Sequence, residues 1–420
     1  MKVLVVGGGG REHAIVWKLS QSSKIKQMYC APGNPGIAEL AECVPIAVSD
    51  IEKLADFAIK QQIDLTFVGP EEPLSLGIVN YFKEEGLAVY GPSKEAARIE
   101  GSKAFAKEIM IKYQIPTAKY AAFTNYEEAL AFVRSEGAPI VIKADGLAAG
   151  KGVVVATSLE EAEDALKSMM QDVTLGLAGV RVVIEEFLEG EEMTLLSFVN
   201  HSTVKPMVPS QDHKPVYDGD KGPNTGGMGT YAPLPHIDSS IVERVIRDIV
   251  QPTAEAMEEE GVPYEGILYT GLMLTKEGPK VIEYNARFGD PETQVVLPLL
   301  ETDLLEIVIA SLTGELENVE VKWKDKAAVC VIMSSAGYPG PYEKGEVISG
   351  LDKVVHPTMI FHAGTASKDG EIITNGGRVL GITAIGETLK DARELAYKSV
   401  EKVSFNGAHY RTDIGAKAFH

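Results

Sequence analysis

The stretch KVIEYNARFGDPETQ (280–294) places a carboxylate, a carboxamide and a guanidinium at every second position, in Glu283, Asn285 and Arg287. Side chains two apart on a strand share a face, so Val281, Glu283, Asn285 and Arg287 line up if the strand runs that far. Glu283 and Asn285 then offer two hard oxygens at one point, which suits a Mg²⁺ that also takes phosphate oxygens. Arg287 beside them can bind phosphate or carboxylate through two parallel N–H bonds. A core Glu283 satisfied by Arg287 is the alternative; the three groups clustered just before Gly289-Asp290-Pro291 favour a site.

Three further stretches carry candidate chemistry. In VIKADGLAAGKGVVVA (141–156), Lys143 ends an apolar strand and a loop holds Gly146, Gly150, Lys151 and Gly152. It is not a Walker A loop: Gly146 and Gly150 enclose three residues, and Gly152 stands where Ser or Thr should follow the lysine. A glycine-rich hairpin tip can still fold over a triphosphate, with N–H groups and Lys151 facing the oxygens; a hairpin with solvated lysines is the alternative. In VIEEFLEGEEMT (183–194), Glu186-Phe187-Leu188 could offer backbone groups to an adenine, and Glu192 a carboxylate to a ribose. An acidic surface hairpin is equally consistent with that segment. In SQDHKPVYDGDKGPNTGGMGTYAP (210–233), Asp212, His213, Lys214, Asn224 and Thr225 sit among glycines, in a loop type that brings backbone close to a small polar ligand. Asp212 and His213 are candidate proton acceptors.

The N-terminal VLVVGGGGREHAIVWKL (3–19) begins like a dinucleotide fingerprint but lacks its third glycine, since Glu12 or His13 stands there. The second strand runs into Pro32-Gly33-Asn34-Pro35-Gly36 without the acidic residue a ribose would need. Gly8, Gly9 and Gly10 still leave N–H groups at a helix N-terminus, which suits a phosphate. A tight turn that only lets helix and sheet approach is the alternative.

The elements that must position these groups follow from pattern. Up to about residue 100, strands (KVLVV, IKQMYCA, VPIAV, DLTFVG, LAVYG) alternate with helices starting near Arg11, Asp50 and Leu74, the second behind a Ser49/Glu52 capping box. Such alternation predicts a parallel, doubly wound sheet. GPSKEAARIEGSKAFAKEIMIKY (91–113) reads as helical, with a new unit near Gly101. Between about 117 and 200 a small α+β module carries a helix behind Ser158 and Glu161; 205–236 reads as long and irregular, hence functional or disordered. A helix at about 239–260, the strands GILYTGLML and KVIEYN, and a last α+β region complete the chain.

Composition narrows the class. A net charge of −20 over 420 residues argues against nucleic acid or an anionic membrane as the main partner, and allows a small anionic substrate. Three scattered cysteines without a Cys-x-x-Cys suggest a reducing compartment, with neither a disulfide framework nor a zinc site. With no signal-peptide pattern at the first strand and no long apolar run, a cytoplasmic protein is expected. No Gly-x-Ser-x-Gly elbow or His-Glu-x-x-His helix is present, so a covalent nucleophile is not indicated.

Together the strings GGGGREHA, GPSKEAARIEGSKAFAK, IKADGLAAGKGV, QDHKPVYDGDKGPNTGGMGTYAP and NARFGDPETQ resemble the ATP-grasp superfamily and, within it, the phosphoribosylamine–glycine ligase family, over essentially the whole chain. The resemblance implies an α/β and α+β ATP-grasp fold. Its parts would be an N-terminal doubly wound parallel-sheet domain (1–100), an ATP-grasp body (101–325) with a mobile lid at about 118–192, and a small C-terminal α+β domain (326–420). It implies Lys103 and Lys143 on the ATP phosphates, with the loop of Gly146, Gly150, Lys151 and Gly152 closing over them. Glu185, Glu186, Phe187 and Leu188 would hold adenine and Glu192 the ribose. Glu283 and Asn285 would bind Mg²⁺ or Mn²⁺. Arg287, Asp290 and the loop with Asp212, His213, Lys214, Asn224, Thr225, Gly226, Gly227 and Met228 would face glycine, an acyl phosphate and 5-phosphoribosylamine. Gly8, Gly9 and Gly10 would hold the phosphoribosyl side, and Arg287, Lys143 and Asp212 would be catalytic.

The implied activity is a cytoplasmic, monomeric, ATP-dependent ligase of purine biosynthesis. It would make glycinamide ribonucleotide through glycyl phosphate, with small molecules as its partners. Another ATP-grasp carboxylate–amine ligase or a carboxylase of that pathway is the nearest alternative. A nicotinamide oxidoreductase, from the opening glycines, and a non-catalytic ATP-binding regulator are the readings from other classes. Replacing Gly9 by leucine should raise the KM for phosphoribosylamine more than that for ATP in steady-state assays; the reverse order contradicts the assignment of the opening turn.

Overall fold

Val3 to Val6 are apolar on both faces of their strand and fully buried, as a central parallel strand requires. A computed structural model of the chain describes residues 1–146, 152–171, 181–354 and 356–419. In it β1 (Lys2–Gly7), β2 (Gln27–Pro32), β3 (Glu42–Cys43), β4 (Leu65–Val68) and β5 (Val89–Tyr90) form one sheet in the order β3-β2-β1-β4-β5. Its pairings are all parallel, with helices Gly10–Leu19, Ile51–Gln61 and Ile78–Glu84 in the connections.

Three local expectations need correction. VPIAV is not the third strand: pairing stops at Cys43, after which Pro45 has no N–H to give and the Ile46 N–H turns back on the Val44 carbonyl (2.7 Å). The next helix is capped one residue later than Ser49/Glu52 suggests, with Asp50 accepting from the Lys53 N–H. A third correction lies in 91–113, which is not one helix. Arg98–Gly101 ends at Ser102, whose extended backbone starts a new helix, Lys103–Lys112.

A second sheet joins β6 (Tyr120–Phe123), β7 (Ile140–Ala144), β8 (Val153–Ala156) and β9 (Val182–Glu186) in the order β6-β9-β7-β8, all antiparallel. Helices Tyr126–Glu136 and Leu159–Met170 cover it around a core of its own, including Ala129, Val133, Ile142, Leu166 and Ile184. Ser158 caps the second of these helices. The Glu161 carboxylate, however, takes the N–H and hydroxyl of Thr157 in place of the cap's own N–H.

The chain continues through β10 (Glu191–Asn200), β11 (Thr203–Pro206), β12 (Gln211–Asp212), β13 (Pro215–Tyr217), β14 (Lys221–Asn224), β15 (Gly229–Ala232), β16 (Glu265–Thr275) and β17 (Gly278–Asn285). The stretch 205–236, expected to be irregular, is thus built of short strands. β13 and β14 make a hairpin, and β12 and β15 are sewn into the C-terminal sheet. That sheet adds β18 (Ala327–Ser334), β19 (Met359–His362) and, beyond a two-stranded hairpin, a long strand Arg378–Gly386; β18 pairs with β15 on one side and with 378–386 on the other.

β10, β11, β16 and β17 form a further antiparallel sheet in the order β11-β10-β16-β17. The helix at 239–259 is continuous but opens into a wide π turn over Ile246–Val250, just before Pro252, which cannot supply an N–H to the ladder. Phe288, Val295, Leu297 and Leu304 pack against Val3, Val5 and Phe67 of the N-terminal sheet and Phe198 of β10. The segment after β17 is therefore a hub against which the N-terminal sheet, β10 and β18 pack. Among the described residues no helix is long and apolar enough to cross a membrane.

Candidate active site

The face of β17 differs from the simple alternation. Gly271 pairs with Glu283 and Leu272 with Val281, which leaves Ile282 as an extra residue opposite the partner strand. Neighbours on β16 point to opposite faces, so their partners Glu283 and Val281 do too. Val281 goes into the core, while Glu283 and Asn285, opposite Gly271 and Tyr269, share the other face. The bulge also frees the Ile282 carbonyl, which accepts from Lys143 Nζ at 2.9 Å.

Glu283 makes no hydrogen bond or ion pair among the described residues. Burial works against its charge, but Lys214, Lys143, Lys103 and Arg287 outweigh that and hold its pKa below the usual carboxylate value. The alternative of a core glutamate paired with Arg287 therefore fails. Arg287, beyond the strand end, instead gives Nη2 to Glu100 Oε1 (2.8 Å) and Asn285 Oδ1 (3.3 Å), and Nε to Glu71 Oε2 (3.3 Å). Glu71 in turn lies 3.7 Å from Arg11 Nη1; despite burial, Arg287 and Arg11 bring its pKa to about 2.

Lys143 is buried, and its Nζ donates to Glu185 Oε2 at 3.0 Å. That carboxylate also meets Lys107 Nζ at 3.3 Å, so Glu185 is committed to two lysines. Its neighbours Glu186, Phe187 and Leu188 run out of β9 toward Gly190, where a Cβ would come within 2.2 Å of the Leu274 carbonyl oxygen. Phe187 is exposed there. Lys103 opens its helix under two caps, since Ser102 accepts the Phe105 N–H and Asp145 the Ala104 N–H. Its Nζ reaches the Gly146 carbonyl at 3.1 Å, and burial lowers its pKa. The Gly152 carbonyl accepts from the Ala144 N–H, while Gly150 and Lys151 lie outside the described residues.

On the opposite side, Glu192 accepts from Lys214 Nζ at 2.9 Å. Asp212 is buried nearby; burial pushes its carboxyl up to about 7 despite Lys214, with Glu292, Glu192 and Glu283 adding to the rise. Glu292, also raised by burial, accepts from the Tyr269 hydroxyl at 2.9 Å. His213 is nearly inaccessible. Its Nδ1 faces the Gly229 carbonyl (3.3 Å), its Nε2 accepts the Gly415 N–H (3.4 Å), and burial lowers its pKa to about 4, so the ring is neutral and engaged within the fold. The Thr225 hydroxyl donates to the Lys214 carbonyl and accepts the Gly227 N–H, Met228 is fully buried, and Asn224 is exposed at the hairpin base. Gly227, at φ +113, lies against Pro291, where a Cβ would be 2.5 Å from Cδ.

The opening turn meets the segment after β17, where Arg11 gives its backbone N–H to Asp290 Oδ2 (3.4 Å) and its Nη1 to the Phe288 carbonyl (3.2 Å). Glu12 folds back under Gly7, its Oε2 accepting from the Gly9 N–H (2.7 Å) and its Oε1 from Arg11 Nε (2.6 Å), so a carboxylate already serves this helix end. A Cβ on Gly9 would lie 3.6 Å from Asp290 Oδ2, and one on Gly10 2.7 Å from Gln294 Nε2. Arg378, from the C-terminal sheet, donates to the carbonyls of Gly226 (2.6 Å) and Asp290 (2.8 Å) and pairs with Asp290 Oδ1 (3.4 Å). Gly8–Gly10, Gly226, Gly227, Asp290 and Arg378 thus converge from three parts of the chain.

Reading the sequence alone passes over Lys107, Glu71, Glu100, Glu292 and Arg378. Two had a signal: Lys107 stands one helical turn after Lys103, and Glu292 lies inside GDPETQ.

Comparison with known proteins finds relatives along almost the whole chain. Three family models match in succession, described as phosphoribosylglycinamide synthetase N domain (residues 1–100), ATP-grasp (A) domain (101–293) and C domain (328–417). A phosphoribosylamine–glycine ligase of Caldanaerobacter subterraneus subsp. tengcongensis is 56% identical over 416 residues, 99% of this chain and 100% of the relative. One of Halalkalibacterium halodurans is 53% identical, over 100% of this chain and 97% of the relative. The crystal structure of phosphoribosylamine–glycine ligase from Thermotoga maritima superposes with a TM-score of 0.86 at 37% identity, covering 99% of this chain and 100% of that one. The biotin carboxylase domain of the Hydrogenobacter thermophilus 2-oxoglutarate carboxylase, at 16% identity and TM-score 0.74 over 97% of this chain and 91% of that one, shares the fold.

The Asp212 carboxyl has a pH consequence. Its folded pKa lies above the unfolded one, so its contribution to stability is full below about pH 4 and is lost as pH rises through about 7. In urea unfolding, Asp212→Asn should be more stable than wild type at pH 8, with the difference shrinking toward pH 4. A gain that is independent of pH, or a loss at pH 8, contradicts the burial of this carboxyl.

Proposed function

This chain belongs to the phosphoribosylglycinamide synthetase family, and from that premise we propose which of its residues carry the family's reaction. It is an ATP-grasp ligase that joins glycine to 5-phosphoribosylamine at the expense of ATP, giving glycinamide ribonucleotide, ADP and phosphate in purine biosynthesis. The observation that carries the residue assignment is Glu283: a carboxylate with no direct partner among the described residues, Asn285 on the same face of β17, and the charges of Lys214, Lys143, Lys103 and Arg287 acting on it.

The family works with a divalent metal. The hard oxygens of Glu283 and Asn285 fit Mg²⁺ or Mn²⁺, and these two residues would hold it. Bound there, the metal neutralises charge on the transferring phosphate. Lys143 and Lys103 face the nucleotide phosphates, each with an ammonium set by packing: Lys143 between Glu185 and the Ile282 carbonyl, Lys103 at a capped helix start. Glu186, Phe187 and Leu188 provide the adenine edge, and Glu192, on the strand across the turn, the ribose contact.

In the first step a glycine carboxylate oxygen attacks the γ-phosphorus, the bond to ADP breaks, and glycyl phosphate forms. In the second, the 1-amino group of phosphoribosylamine attacks the acyl carbon, phosphate leaves with its oxygen, and the amine loses a proton. Arg287, kept charged by Glu100 and Glu71 against its burial, stabilises the carboxylate and then the acyl phosphate. Asp212, whose pKa lies near neutrality, takes the amine proton. The junction of Gly8–Gly10, Gly226, Gly227, Asp290 and Arg378 holds the phosphoribosyl side. The sheet β6 to β9, with a core of its own, closes over the phosphates as a unit and keeps water from the acyl phosphate.

Positioning and charge neutralisation are what phosphoryl transfer asks of a protein, and no nucleophilic side chain is needed. The double variant Glu283→Gln, Asn285→Ala should lose glycine-dependent ADP formation while its circular dichroism and melting stay close to wild type. Near-normal turnover in that variant sinks the metal assignment.

A further inference from the structure

A lysine ammonium has three donors and no acceptor. Around Lys107 Nζ, Thr117 Oγ1 (2.8 Å) and the Ala118 carbonyl (3.3 Å) accept hydrogen bonds, and Glu185 Oε2 (3.3 Å) completes the surroundings as an ion pair. Around Lys143 Nζ only Glu185 Oε2 (3.0 Å) and the Ile282 carbonyl (2.9 Å) accept hydrogen bonds among the described residues. Among the described residues one proton of Lys143 therefore has no acceptor. All three side chains are nearly inaccessible: Lys107 is 2% exposed, Lys143 3% and Glu185 4%.

Two buried ammoniums share the Glu185 carboxylate, so these three groups together carry one net positive charge; Glu283 lies within its field, and an anion that arrives beside Lys143 is attracted by it. We propose that Lys107 is a positioning residue of the nucleotide site, which keeps Glu185 neutralised so that the charge and free N–H of Lys143 are available to the nucleotide phosphate. Without Lys107, Glu185 and Lys143 would cancel one another and a phosphate would have to compete with Glu185. The inference rests on the assignment of Lys143 to the phosphates.

The surroundings agree. Burial, with Lys143 adding to it, lowers the Lys107 pKa to about 8 against the pull of Glu185, so it is still charged at pH 7. The charged groups facing it are Glu185 and Glu186 on β9 and Lys143 on β7, with the Tyr120 ring 5.7 Å away. Glu255, Glu258 and Glu259 on helix Gln251–Glu259, and Lys280 and Glu283 on β17, belong to the other elements packed on this helix.

The test is calorimetric titration of the full-length chain with MgADP at pH 7. Lys107→Met should weaken binding by about tenfold or more, as expected when a buried charge loses its partner. Lys107→Met combined with Glu185→Gln should return to within about threefold of wild type, because the two changes are coupled through one contact. A single variant that binds like wild type, or a folded double variant as weak as the single one, overturns the proposal. Should Lys107→Met alone fail to fold, the double variant is compared with Glu185→Gln. Less than about threefold difference is then expected and a tenfold loss overturns it. Lys143→Met separates the two layers: if it binds MgADP like wild type, the assignment of Lys143 to the phosphates is what fails.

Discussion

Charges taken out of water must be met by opposite charges or by full hydrogen bonding, and this requirement organises the centre of the molecule. Glu185 is met by Lys143 and Lys107, Arg287 by Glu100 and Glu71, and Asp290 by Arg378 and the Arg11 N–H. The groups come from widely separated parts of the chain, so the folded architecture exists in part to satisfy them. Against this background two places stand out as incompletely matched: Glu283, surrounded by cations but bonded to none among the described residues, and the Asp212–Glu292 neighbourhood, where burial pushes carboxyl pKa values up. On the proposed reading the first belongs to metal and nucleotide and the second to the amine that must lose a proton.

The backbone supplies these placements through irregularities rather than through regular elements. The extra residue at Ile282 turns Glu283 to the face of Asn285 and offers a carbonyl to Lys143. Ser102 breaks a helix so that Lys103 stands at the start of the next one. Gly227, against Pro291, lets the loop after β14 meet the segment after β17. The C-terminal sheet takes β12 and β15 into itself, and its Arg378 ties that loop to Asp290. On the proposed reading the C-terminal segment therefore contributes to the substrate side and does not merely cover it.

Much of this was legible in the sequence. Alternating strands and helices near the N-terminus specify a parallel sheet, and the candidate groups from Lys103 to Arg287 are concentrated in motifs rich in glycine and charge. What escaped did so for identifiable reasons. Period-two reasoning cannot detect a bulge, so Val281 was expected on the face of Glu283. The stretch 205–236 looks irregular because its strands are two to four residues long and the residues of β15 find partners 96 to 102 residues away, in β18. Glu12 gives no sign that its own carboxylate will cap the glycine turn. Glu71, Glu100 and Arg378 are ordinary charged residues until the fold brings them to Arg287 and Asp290. Of the glycine loop, Gly146 and Gly152 can be placed, whereas Gly150 and Lys151 fall outside the described residues.

On the proposed reading the buried charges serve phosphoryl transfer to the glycine carboxylate, with glycyl phosphate as the intermediate. The most direct test of this reading is a turnover with glycine labelled with ¹⁸O in the carboxylate, together with ATP and phosphoribosylamine, followed by mass spectrometry of the phosphate released. The account predicts one labelled oxygen in each phosphate, carried over when the amine displaces it from glycyl phosphate. Unlabelled phosphate from labelled glycine, with product formed at the usual rate, contradicts it.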